Sequence, residues 1–137
     1  MDYTAYIVAL KEQLAVHLKQ LDSLSVKGKS LTLLERSAAE RSLQILVESA
    51  VGSAKHLNKK EGLPQRLDSY QTIVQLTEEL NIDSDYLPQL KGAIGMRNAI
   101  VHDYLNLDWE LIQAVLDQQR YRRLADFILD VCRYLGN

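Results

Sequence analysis

The sequence predicts an all-α fold, an antiparallel helical bundle of about five helices in a single domain spanning residues 1–137, and three observations carry that expectation. Apolar residues recur at steps of three and four over long stretches, the repeat of one helix face. Only six glycines and two prolines punctuate the 137 residues, too few for many short strands and their turns. No segment alternates apolar and polar residues for long enough to make a strand. Short connections then set consecutive helices side by side and antiparallel.

The first helix is expected over roughly 2–23, where Ile7, Leu10, Leu14, Leu18 and Leu21 share a face. Gly28 in "SVKGKS" stops it, and Ser30 is a candidate cap for the next. The second runs from about 31 to 58, on a stripe of Leu43, Leu46, Val47, Ala50, Ala54 and Leu57, and "NKKEGLP" ends it. Asp68 or Ser69 caps a third helix reaching about residue 80, built on Tyr70, Ile73, Val74, Leu76 and Leu80. A fourth starts near Ser84, accepts Pro88 in its first turn, and carries Leu87, Leu90, Ile94 and Met96 into the stretch "RNAIVHDY". Asp108 caps a last helix over about 109–135, which Gly136 closes.

Several helices look apolar on more than one side. In the second, Ser49, Ala50, Gly52, Ser53 and Ala54 intersperse the larger apolar residues and permit close helix approach. Core packing and a homodimer interface both account for that surplus.

Composition narrows the function classes. With 47% apolar and 25% charged residues the chain is neither disordered nor fibrous. No apolar run is long enough to span a bilayer, and "MDYTAYIVALKEQL" lacks the basic-then-apolar order of a signal peptide, so a cytoplasmic protein is expected. The lone Cys132 fits a reducing compartment and reads as a small core residue. A net charge of −2 argues against broad, non-specific coating of nucleic acid, though not against a small basic cleft. The clusters "KHLNKK" (55–60) and "RYRR" (120–123) read first as solvated helix faces and ends, with a nucleic-acid contact as the alternative.

"RNAIVHDY", residues 97–104, is the one constellation that carries chemistry. His102 has Arg97 five residues before it and Tyr104 two after; His17 and His56, on surface-like positions beside lysines, have no such neighbours. Histidine moves protons both ways near neutral pH, and arginine grips phosphate oxygens with a planar fork of donors. The pair suits cleavage of RNA: a base takes the 2′-hydroxyl proton, that oxygen attacks the adjacent phosphate, an acid protonates the departing 5′-oxygen, and a cation stabilises the charged intermediate. No metal is needed for this, and the sequence offers no metal-ligand spacing such as CxxC or HExxH. Five residues turn a helix through about 140° and rise about 7.5 Å, so Arg97 and His102 do not stack, whereas Arg97 and Tyr104 would share a face. Either the helix loosens near His102, or Arg97 reaches around, or a second copy of the chain supplies the partner. Polar decoration of a helix end, with His⁺ favoured by the dipole, is the reading without chemistry.

"GMRNAIVHDY" resembles the RX4HXY motif of HEPN-domain proteins, in particular the HepT-like toxins. "ERSAAERSLQILVESAVGSAKHL", "GLPQRLDSYQTIVQL" and "DWELIQAVLDQQRYRRLADFI" are similar to that family's second, third and last helices, so the likeness runs from about residue 5 to 132. The resemblance implies a homodimeric HEPN-like bundle whose two motifs meet in a cleft. It implies a metal-independent RNA endonuclease, the toxin of a type VII-like toxin–antitoxin pair, with Arg97 and His102 as the ribonuclease pair and Asn98 assisting. It further implies no cofactor, and a cognate minimal nucleotidyltransferase antitoxin that transfers AMP from ATP onto Tyr104. An AMP group there would oppose RNA by bulk and like charge. The competing expectation is a non-catalytic helical module that binds a nucleotidyltransferase. The six other tyrosines are expected to have packing or surface roles.

Overall fold

The structure, a computed structural model, describes residues 2–137. Among these residues six α-helices run in order: α1 Thr4–Ser25, α2 Leu33–Lys60, α3 Ser69–Glu79, α4 Leu87–His102, α5 Trp109–Asp117 and α6 Tyr121–Leu135. Single 3-10 turns, Ser84–Tyr86 and Tyr104–Asn106, precede and follow α4. No strand occurs among the described residues.

The long α2 forms the spine, packing against α1, α3, α4 and α6. The stripe read from the sequence is its buried face: Leu43, Val47, Ala50, Ala54 and Leu57 are wholly enclosed. Ser53 joins Ala50 and Ala54 there, so this part of the small-residue run fills space inside the chain itself. Phe127, Ile128 and Val131 of α6, Leu21 of α1 and Ile73 and Leu76 of α3 complete the core, with Cys132 buried beside them.

Local chemistry sets the boundaries. Asp68 and Asp108 cap α3 and α5 through backbone N–H groups, as expected. At the start of α2 the cap is Thr32 rather than Ser30. Its hydroxyl accepts from the Glu35 N–H at 3.1 Å while its own N–H donates to the Glu35 carboxylate at 3.0 Å, a reciprocal pair that Ser30 cannot make. Gly62 ends α2 at φ +71, its N–H reaching Lys59 and that of Leu63 reaching Asn58. The helix expected over 109–135 is two. Gln119 takes the left-handed conformation (φ +51), and the N–H groups of Gln119 and Arg120 turn back to the carbonyls of Leu116 and Val115. This is the same terminating motif, carried by a residue that usually does not signal it.

Two expected surface features are structural. His17 shares a 2.9 Å hydrogen bond with Ser42, and the His56 ring lies 4.6 Å from Tyr6, so both pack between α1 and α2. In the "RYRR" cluster Arg122 pairs with Asp22, and Arg123 stacks 4.2 Å over the Tyr86 ring. Lys60, from the other cluster, donates to the carbonyls of Tyr134 and Asn137.

Tyr86 and Tyr121 are buried with their hydroxyls donating to Asp130 and Asp22. Burial first, then the carboxylate that each phenol serves, pushes both up to about 12. In the unfolded chain tyrosines ionise near pH ~10, so between that pH and about 12 only the unfolded state loses these protons. Stability is therefore expected to be full below pH ~10 and to fall steadily above it. Thermal unfolding across this range checks the slope, which Tyr86→Phe with Tyr121→Phe flattens.

Candidate functional site

The motif occupies the end of α4 and the turn after it. The helix is regular through His102, its last residue, and stops at Asp103 (φ −145, ψ 47). It does not loosen before His102, and the 140° offset between Arg97 and His102 stands. Arg97 is half-buried, with its Nε enclosed and without a hydrogen-bond partner; Asn98 and His102 are exposed. Among the described residues no hydrogen bond joins these three side chains.

Tyr104 does not share a helix face with Arg97, because α4 has ended. It opens the 3-10 turn Tyr104–Asn106, which folds its ring back towards α2. There its hydroxyl donates to the carboxylate of Glu40, 2.7 Å from Oε1 and 2.9 Å from Oε2. The hydrogen bond to Glu40, and then its negative charge, raise the Tyr104 phenol above its ordinary value. The tyrosine is 55% exposed while Glu40 is only 7% exposed, so an accessible hydroxyl rests on a buried carboxylate.

One turn before Glu40, the Arg36 guanidinium lies 4.9 Å above the Trp109 ring, a cation on an aromatic face. Its Nε, like that of Arg97, is buried and unpartnered. Sequence reasoning missed both α2 residues, although a signal was present. Arg36, Glu40, Leu43, Val47, Ala50, Ala54 and Leu57 continue one stripe at steps of four and three. Two charged residues extending an apolar stripe require partners.

A groove of about 610 Å³ runs along the other side of α4, where Gly92, Gly95, Met96 and Ala99 face Leu111 of α5 and Leu124 of α6. Arg97, His102 and Tyr104 do not line it, yet His102 lies one step of three beyond Ala99 on the same helix stripe. Among the described residues no three His, Cys, Asp or Glu side chains gather as a metal-binding group, and no helix is long and apolar enough to cross a membrane.

A family model described as ribonuclease HepT-like matches residues 12–131. The tRNA nuclease HepT of Aphanizomenon flos-aquae (strain 2012/KM1/D3) is 22% identical over 92 residues, which are 67% of this chain and 63% of that protein. The matched region thus spans less than two thirds of that relative's length. Among solved structures, a tri-AMPylated Shewanella oneidensis HEPN toxin in complex with an MNT antitoxin superposes with a TM-score of 0.82 at 22% identity, over 93% of this chain and 96% of that one. A toxin–antitoxin complex with AMP-PNP gives 0.81 at 22% identity, over 92% and 96%. At that identity the superpositions speak for a shared helical fold. The family match covers nearly the whole bundle, motif included, and the chain belongs to the HepT-like ribonuclease family.

Proposed function

We propose that this chain is the ribonuclease toxin of a type VII-like toxin–antitoxin pair, acting in the cytoplasm as a homodimer and silenced by AMP on Tyr104. The observation that carries the reading is the end of α4: an exposed His102 closes the helix, Arg97 stands behind it, and an accessible tyrosine hydroxyl follows two residues on.

In this scheme one His102 imidazole removes the 2′-hydroxyl proton of the RNA and the oxygen attacks the neighbouring phosphorus. A second imidazole protonates the 5′-oxygen as the P–O bond breaks, leaving a 2′,3′-cyclic phosphate. The Arg97 guanidinium neutralises the charge that builds on the phosphorane, and Asn98, exposed beside it, offers an amide to a phosphate oxygen or the 2′-hydroxyl. One chain has one such histidine, so two copies are needed.

The groove along α4 supports a surface for the second copy. A methyl group at Gly92 or Gly95 would meet nothing within 4 Å, so the monomer's own packing does not demand glycine there. A helical glycine costs about 0.5–1 kcal/mol relative to alanine, which close approach by another helix would explain. Packing along Gly92, Gly95 and Ala99 brings the two His102 residues towards one cleft. The partner that modifies Tyr104 is a minimal nucleotidyltransferase, which agrees with the MNT antitoxin bound by the similar Shewanella toxin.

Purified, unmodified protein is expected to cut RNA in the presence of a chelator and to leave cyclic phosphate ends, read by end-group analysis. Absence of cleavage, together with tight binding to the nucleotidyltransferase, would instead favour a non-catalytic binding module.

A further inference from the structure

We propose that Glu40 is the general base of Tyr104 modification, so that the toxin itself supplies the group that activates its own acceptor hydroxyl. The inference rests on the reading that Tyr104 receives AMP. Its own ground is the geometry of one hydrogen bond. Tyr104 Oη must lose a proton to attack phosphorus, and it already donates that proton to a carboxylate, with both oxygens within 2.9 Å. No ion pair engages Glu40 among the described residues. Arg36 and Arg41, one turn before it and one residue after it on α2, and Lys91, Arg97 and His102 on the packed α4, make no hydrogen bond to it among the described residues. Its lone pairs are therefore aimed at the phenol.

The phenol cannot serve as a ready-made phenolate: tyrosine is protonated near neutral pH, and the contact with Glu40 raises this phenol further above its ordinary value. Proton transfer must accompany attack. In the step, Tyr104 Oη bonds to the α-phosphorus of a nucleoside triphosphate, the bond from that phosphorus to the bridging oxygen breaks, and pyrophosphate leaves with its electron pair. The phenolic proton passes to Glu40. That transfer does a second thing. It neutralises the buried carboxylate while the new bond forms, which relieves like-charge repulsion of the incoming phosphate during the step. After modification Oη is an ester oxygen with no proton, and Glu40 returns its own to solvent.

The test separates basicity from position. Glu40→Gln keeps an oxygen that accepts the tyrosine hydrogen bond and removes the base. AMP transfer by the cognate nucleotidyltransferase with ATP and Mg²⁺ is followed by intact mass under single-turnover conditions, between about pH 6 and 9. The variant is expected to be slower by about a hundredfold or more near neutrality, with the ratio of wild-type to variant rate shrinking as pH rises and hydroxide replaces the missing base. A variant as fast as wild type, or slower by a factor that does not change with pH, overturns the proposal. Circular dichroism checks that the variant is folded. Should it not fold, the wild-type profile decides, since a rate that climbs tenfold per pH unit up to phenol ionisation means that no carboxylate takes the proton. Tyr104→Phe distinguishes the two readings. AMP on wild type that is lost in Tyr104→Phe upholds Tyr104 as acceptor whatever Glu40→Gln does, and wild type that takes up no AMP defeats both.

Discussion

His102→Ala is expected to lower RNA cleavage by about a hundred- to ten-thousandfold while leaving the helical bundle intact. The residue is exposed at the last position of α4, and its side chain makes no hydrogen bond among the described residues, so its loss touches chemistry rather than folding. Arg97→Ala is expected to cost a similar factor, since losing one charge-stabilising donor set at a developing oxyanion removes about a hundred- to a thousandfold. Arg97 is half-buried, and truncating it also removes packing. Arg97→Lys separates the two effects: it keeps the charge and most of the stem but loses the planar fork, and it is expected to remain largely inactive. Cleavage of a labelled RNA, with circular dichroism and sizing of each variant, checks all three. A His102→Ala protein that cuts at the wild-type rate would remove histidine from the mechanism.

Tyr104→Phe is expected to abolish AMP attachment and to leave the toxin active in the presence of its nucleotidyltransferase. The ring stays and the nucleophile goes, so the variant should remain unshifted in intact mass and should continue to cut RNA where the wild type falls silent. The same change strips Glu40 of its hydrogen-bond donor. A buried carboxylate left unpaired costs about 1–3 kcal/mol, so the variant is also expected to melt earlier than wild type. Double replacement, Tyr104→Phe with Glu40→Leu, should recover most of that loss because no buried charge remains. Increments of AMP on Tyr104→Phe would place the modification on another residue.

The all-helical architecture was legible because burial and periodicity coincide on α2 and α6. Their stripes are the core, and Asp68, Pro88, Asp108 and Gly62 act at the boundaries as their side chains dictate. What escaped was set by tertiary context. Gln119 adopts a left-handed turn that nothing in "DQQR" announces, and one long helix becomes two. His17 and His56 lie beside lysines along the chain, but each turns its ring into the α1–α2 seam. Within the candidate site, spacing singled out Arg97, His102 and Tyr104 as candidates. It misplaced Tyr104 by treating α4 as continuing past His102, whereas Asp103 breaks it and sends the tyrosine across to α2. Glu40, 64 positions away in sequence, can be tied to Tyr104 only through the fold. The sequence's own hint was a carboxylate on an apolar stripe.

The proposed mechanism requires a cleft in which both histidines of a two-fold dimer serve one scissile phosphate. A heterodimer of one wild-type chain and one His102→Ala chain, purified by a different tag on each, tests this most directly. With one proton donor or acceptor missing, its cleavage rate should fall to about a hundredth of the wild-type dimer's or less. A heterodimer that retains half of the wild-type rate would mean that each chain carries a complete site of its own, and would contradict the shared cleft.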